Sequence, residues 1–142
     1  MFEKSLIDVL KADSELIALI STFKDSPSIF SHSAPENTEF PYIVFDIYMD
    51  DNIDSVVDKF EIFFNFFDHS NSAARARKVS RRLIELLDRQ TLEDDYYNYI
   101  RFFRTSIDIV KENDEDPRKV HYITRFMARA GREGWIKNYT GV

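Results

Sequence analysis

The first twenty-three residues carry apolar side chains at helical spacing. Phe2, Leu6, Val9 and Leu10 fall at i, i+4, i+7 and i+8, and Leu16, Ile17, Ile20 and Phe23 repeat that face. Asp13 and Ser14 stand between the two sets, and either can cap a new helix with its side-chain oxygen. The pattern predicts one helix, a break at Asp13-Ser14, and a second short helix. Residues 24–41 lose the period and contain Pro27, Pro35 and Pro41, so they read as a loop with a short strand around Ser28–Ser31. A loop of that length is long for a compact domain, which marks part of it as a functional candidate.

From residue 42 the period changes to two. Ile43, Phe45, Ile47 and Met49 alternate with Tyr42, Val44, Asp46 and Tyr48, which predicts a strand over 42–49. After the acidic loop Asp50-Asp51-Asn52-Ile53-Asp54, a second strand is predicted over 58–68. Its Phe60, Ile62, Phe64 and Phe66 make one apolar face. Glu61, Phe63, Asn65 and Phe67 make a mixed one, and aromatics on both faces predict that a neighbouring subunit covers the second. Residues 71–89 return to helical spacing, with Ala76, Val79, Leu83, Leu86 and Leu87 as the buried stripe and Ser70, Asn71 or Ser72 as cap.

Two more alternating segments, 97–111 and 119–129, predict a hairpin closed by the polar connection Glu112–Pro117. Within it, Phe103, Ile107 and Ile109 are expected on one face and Phe102 and Val110 on the other. Val120, Tyr122 and Phe126 likewise oppose Ile123 and Met127. The expected fold is therefore α+β: a mainly antiparallel four-stranded sheet packed with helices, in the order α-(α)-β-β-α-β-β. A length of 142 residues fits a single domain, 1–142, with a flexible tail from about residue 130.

Composition sharpens this picture mainly by exclusion. The three glycines, Gly131, Gly134 and Gly141, all lie near the C-terminal end, so no Rossmann fingerprint or P-loop can be built upstream. The absence of cysteine removes disulfides, thiolate metal sites and thiol nucleophiles. No Gly-x-Ser-x-Gly elbow is present. His32, His69 and His121 have no second ligand at i, i+4 spacing, so no zincin-like site is visible. His69 after Asp68 reads as a solvated loop residue in preference to a general base or ligand. Asp50, Asp51 and Asp54 resemble half a calcium loop, but the glycine turn and the closing glutamate are missing, so a solvated hairpin loop is expected. No catalytic residue, cofactor or metal is called for. No apolar run approaches membrane-spanning length and the N-terminus lacks a signal-peptide pattern, so a soluble chain made in a cytoplasm is expected.

The formal charge of -6 hides a segregation. Residues 71–89 sum to +4 and residues 118–137 to +5, which leaves -15 for the rest. The helix 71–89 concentrates Arg75, Arg77, Lys78, Arg81 and Arg82 on more than one face. That makes it either a solvated amphipathic helix or a contact surface for an acidic neighbour or a phosphate.

Several of these segments in order carry a resemblance: the Leu6/Leu10 helix with its Asp13-Ser14-Glu15-Leu16 break, the loop with Pro27 and Pro35, and the Phe40-Pro41-Tyr42-Ile43-Val44-Phe45 strand. The strand ending Phe66-Phe67-Asp68, the Ala73-Ala74-Arg75-Ala76 helix with Leu83 and Leu87, and the Tyr122-Ile123-Thr124-Arg125-Phe126 strand complete it. Over residues 2–129 the chain resembles the tail completion (tail terminator) proteins of long-tailed bacteriophages and prophages.

The resemblance implies a non-enzymatic virion structural protein of the tail, assembled in the bacterial host cytoplasm. It would form an oligomeric ring, a hexamer on the tail, cap the tail tube, end its polymerisation and present a surface for head joining. The implied partners are further copies of the chain, the tail tube protein and the head–tail connector protein, with no membrane and no direct nucleic-acid specificity. Ring contacts join unlike patches. The interface candidates are Arg75, Lys78, Arg81 and Arg82 on the basic helix, Asp50, Asp51 and Asp54 on the acidic loop, and Phe63 and Phe67 on the mixed strand face. The alternative is a nucleic-acid-binding or regulatory module that uses the basic helix 71–89.

Overall fold

A computed structural model of the chain describes residues 2–50, 57–111 and 115–131. Asp51 and Asp54, residues 112–114 of the predicted hairpin connection, and the tail beyond Gly131 lie outside the described residues.

The predicted helical start forms as α1 (Glu3–Lys11) and α2 (Ser14–Ile17), which meet at a corner set by Asp13. Asp13 is the cap: its backbone is extended and its carboxylate accepts from Leu16 N at 2.8 Å. A two-stranded hairpin follows, β1 (Thr22–Phe23) with β2 (Ser26–Pro27). The remaining strands are β3 (Ile29–Ser31), β4 (Tyr42–Met49), β5 (Val57–His69), β6 (Thr91–Leu92), β7 (Tyr99–Ile109) and β8 (Lys119–Gly131). The long helix α3 (Ala74–Leu87) joins β5 to β6. Its N-cap is Ala73, which has no capping side chain; Ser72 Oγ instead accepts from Ala74 N at 3.1 Å.

The expected four-stranded, mainly antiparallel sheet is corrected by the observed topology. The main sheet has six strands in the order β3-β4-β5-β8-β7-β6 and is mixed, because β3 runs parallel to β4, while β1 and β2 form a separate small sheet. The physical reason lies in the edges. β6 has two residues, too few to print a period of two, and it is a strand because a longer neighbour supplies partners; β3, of three residues, is the short strand expected around Ser28–Ser31, and it joins the sheet by pairing with β4. The four long strands are those that the alternation predicted.

The helices lie on one face of this sheet. That face and the helices share one core of Phe2, Leu6, Leu10, Phe45, Phe60, Phe64, Phe66, Val79, Leu83, Phe102 and Phe126. Fully burying such side chains contributes roughly 1.5–3 kcal/mol each, so this face sets the register of β5. A polar pair interrupts it: Thr124 donates its hydroxyl to Ser80 Oγ at 2.9 Å, so neither buried hydroxyl is orphaned.

The face assignment within β7 is also corrected. The β7–β8 register shifts between Arg104 and Ser106, a bulge at Thr105. The extra residue turns Ile107 and Ile109 to the face of Phe102, opposite Thr124 and Tyr122, and leaves Phe103 on the other face beside Met127.

Candidate functional surfaces

Among the described residues no helix covers the second sheet face, which gathers the mixed side of β5 with the matching positions of its neighbours. Tyr42, Asp46 and Tyr48 come from β4, Phe63, Asn65 and Phe67 from β5, and His121 and Arg125 from β8, because directly paired residues share a face. Here the aromatics form a continuous stack. Phe40 lies 5.5 Å from Tyr42, Tyr42 lies 5.2 Å from Phe67, and Phe67 lies 4.2 Å from the His121 ring, all near-parallel. His121 Nε2 is 2.9 Å from Asn65 Oδ1, which orients the imidazole. Further along, Phe63 meets Tyr48 edge-on at 5.4 Å and receives the Arg125 guanidinium over its ring at 4.8 Å. Arg125 is held by Asp108 across the hairpin at 2.6 Å. Phe63 and Phe67 are therefore half-buried members of an aromatic face that no described helix covers.

The predicted basic helix divides into residues with different duties. Arg82 is turned inward across the helix layer. Its Nε and Nη2 reach Asp13 Oδ2 and Oδ1 at 2.9 and 2.6 Å, and its Nη1 lies 3.0 Å from Glu85 and 3.2 Å from Glu15. This fork donates to the carboxylate that already caps α2, and it holds the Asp13 carboxyl below its ordinary range while raising the guanidinium above its own. Arg75 lies 3.7 Å from Asp68, a carboxylate only 3% exposed whose Oδ1 also accepts from His69 N. Arg77, Lys78 and Arg81 are exposed. Lys78, Arg81, Arg82, Glu15 and Glu85, with Ala18 and Leu19, line a shallow groove of about 390 Å³.

Of the acidic loop, Asp50 donates its backbone N–H to Lys59 O at 2.9 Å and so continues the β4–β5 ladder. Among the described residues no group of three or more His, Cys, Asp or Glu is arranged to hold a metal. His69, expected as a solvated loop residue, is exposed but is the last residue of β5, and its Nε2 is 2.7 Å from Asp116 Oδ2. Asp116 also accepts from Arg118 N, and these bonds, the backbone one first, lower its pKa. The pair ties the end of β5 to the turn before β8.

Sequence reasoning also missed a built turn between β6 and β7. Asp94 accepts from the backbone N–H of Tyr96 and Tyr97, and Asp94 N donates to Tyr97 O at 2.8 Å. Tyr97 is buried against Phe60 and donates its hydroxyl to Asp58 at 2.6 Å. The signal available in the sequence was the Asp94-Asp95-Tyr96-Tyr97 run, an Asx turn before two aromatics.

Comparison with known proteins bears on the fold. A chain in the structure of the virion of a native gene transfer agent particle is similar over 91% of this chain and 93% of its own length, with a TM-score of 0.73 at 14% sequence identity. A second solved chain is similar over 91% of this chain and 89% of its own, with a TM-score of 0.57 at 16% identity. No known protein family and no curated protein matches the sequence. At these identities the likeness defines a shared fold, found in a component of a virion particle. No helix among the described residues is long and apolar enough to cross a membrane.

Proposed function

We propose that this chain is a structural protein of a phage-derived virion, and more specifically a tail terminator. In this reading it forms a ring, a hexamer on the tail, that caps the tail tube, ends tube polymerisation and offers the surface that joins the head. The observation that carries the virion reading is the fold likeness to the gene transfer agent chain over nearly the whole of both chains. The tail-terminator reading rests in addition on the order of segments from the Leu6/Leu10 helix to the Tyr122–Phe126 strand. The stacked, uncovered aromatic face of β4, β5 and β8 is what an assembly subunit needs and a free monomer has no use for. The further partners are the tail tube protein and the head–tail connector protein, and the place of action is the virion tail, with assembly in the host cytoplasm. The chain acts by contact and not by catalysis.

Purified protein added to polymerising tail tubes is expected to give tubes of limited length with a ring of density at one end. Unrestricted tube growth and no end density at any protein concentration would overturn the tail-terminator reading.

The exposed Arg77, Lys78 and Arg81 favour one rival, a nucleic-acid-binding module. It requires duplex binding at low salt that weakens steeply as salt is added. Loss of that binding on reversing Lys78 and Arg81, with tube capping unaffected, would establish it.

A further inference from the structure

The main sheet ends in two edges, and each is covered along only part of its length. At one edge β3 pairs with Ile43–Phe45 and stops, so Asp46–Met49 of β4 has no strand beside it among the described residues. At the other, β6 pairs with Ile100–Arg101, and Arg104 donates its backbone N–H to Asp88 at 2.9 Å. Beyond that point Ser106–Ile109 of β7 has no described neighbour on the side away from β8. An open edge carries a row of N–H and C=O groups and is a template for pairing with another chain.

The two bare stretches match in phase. Val110 donates its N–H to His121 O at 2.9 Å, so Asp108 and Ser106 also bond to β8, and Ile107 and Ile109 direct their N–H and C=O groups outward. Asp50 donates to Lys59 O at 2.9 Å, so Tyr48 and Asp46 bond to β5, and Ile47 and Met49 direct theirs outward. The side chains of these four residues lie on the helix-bearing face, in line with Phe45 and Phe102. Met49, Ile107 and Ile109 are 53%, 47% and 57% exposed there, which leaves apolar surface at both edges.

We infer that Ser106–Ile109 of one copy pairs antiparallel with Asp46–Met49 of the next, so that the main sheet runs on from subunit to subunit. Within one chain β4 and β7 point in opposite directions, because β4–β5, β5–β8 and β8–β7 are all antiparallel. Rotation about an axis along the strands leaves each direction unchanged, so β7 meets the next β4 antiparallel. The contact joins unlike patches and repeats around a ring. Charge selects the register. With Ile107 opposite Met49 and Ile109 opposite Ile47, Asp108 faces Tyr48. A shift of one residue would turn the apolar side chains to opposite faces. A shift of two residues either way would set Asp108 against Asp46 or Asp50, a like-charge pair. The inference rests on the ring reading above and names its interface.

Because the chain has no cysteine, the contact can be trapped without background. Asp108 and Tyr48 would form a non-hydrogen-bonded pair, with Cα atoms about 4.5 Å apart and within disulfide reach. Inside one chain β5 and β8 separate β4 from β7 by about 14 Å, so no internal disulfide can form. Rings of Tyr48→Cys/Asp108→Cys on tail tubes, once oxidised, are expected to give linked oligomers up to the full ring, and Lys4→Cys/Asp108→Cys none. In parallel, Ile109→Pro removes one outward N–H, at an edge position where proline is tolerated. It is expected to fold, as read by circular dichroism, and to lower ring formation at least tenfold. The crosslink does not depend on that variant folding. Rings that carry no Tyr48→Cys/Asp108→Cys linkage, or folded Ile109→Pro that forms rings at the wild-type level, would overturn the interface and leave the ring reading standing. Wild-type protein that forms no ring on tubes would overturn both.

Discussion

Asp13 carries two duties that its position between two helical runs only half reveals. As a cap it satisfies a free amide of α2, and as the acceptor of the Arg82 fork it ties the α1–α2 corner to α3. Asp13→Ala removes both, and the lost cap alone costs about 1 kcal/mol. Asp13→Asn keeps a capping oxygen but loses the charge. Asp13 is held below its ordinary value of 3.8, so its pairing stabilises the fold fully above that pH and is lost as pH falls through the folded-state pKa. Thermal unfolding followed from pH 7 to pH 2 is therefore expected to show a shallower acid decline for Asp13→Asn than for the wild type. An unchanged slope below pH 4 would show that Asp13 does not contribute to it. The cap was legible from the residue type. The guanidinium that reaches it comes from 69 residues away, and Arg82 in the sequence looked like one of five equivalent cations.

At the scale of the element, β5 shows how one strand serves two surfaces. Phe64 faces the core and packs edge-on against Phe126 at 5.7 Å, whereas its neighbour Phe63 faces the uncovered side. Phe64→Ala is expected to cost about 3–5 kcal/mol and Phe63→Ala roughly 1–2 kcal/mol, read by denaturant titration. If the outer face is an assembly surface, Phe63→Ala also reduces tube capping at temperatures where the variant is fully folded. Capping at the wild-type level would remove that face from the interface. The alternation along β5 was plain in the sequence because both faces carry phenylalanine at strict spacing. The β7 faces were not, because a bulge is a one-residue change of phase, and Thr105 carries no mark that distinguishes it from any other strand threonine. The edge strand β6 escaped for a related reason, because a strand of two residues owes its existence to the neighbour it pairs with, whereas β3 is the short strand expected around Ser28–Ser31.

For the whole molecule, the proposed ring requires an acidic chain to associate with itself. Lys78 and Arg81 are exposed on the helix layer, and Glu93 and Asp95 are exposed at a sheet end. Exposed charges attract over about 10 Å at 0.1 M salt and about 3 Å at 1 M. Self-association measured by sedimentation is thus expected to weaken several-fold as salt rises from 0.05 to 1 M. Association that strengthens with salt would point to the uncovered aromatic face as the main contact instead.

The sequence by itself determined the long elements and what the chain cannot do. Apolar spacing of 3.6 or 2.0 is a property of contiguous residues, so α1, α3 and the four long strands could be read directly. The missing cysteines and early glycines excluded whole chemistries by residue type alone. Only the tertiary structure decided which cations were already taken, which strands bordered the sheet, and that Asp94 closes a turn between β6 and β7. Those outcomes depend on residues far apart in the chain meeting in space, as Arg82 meets Asp13 and Tyr97 meets Asp58, and no local pattern encodes such a meeting.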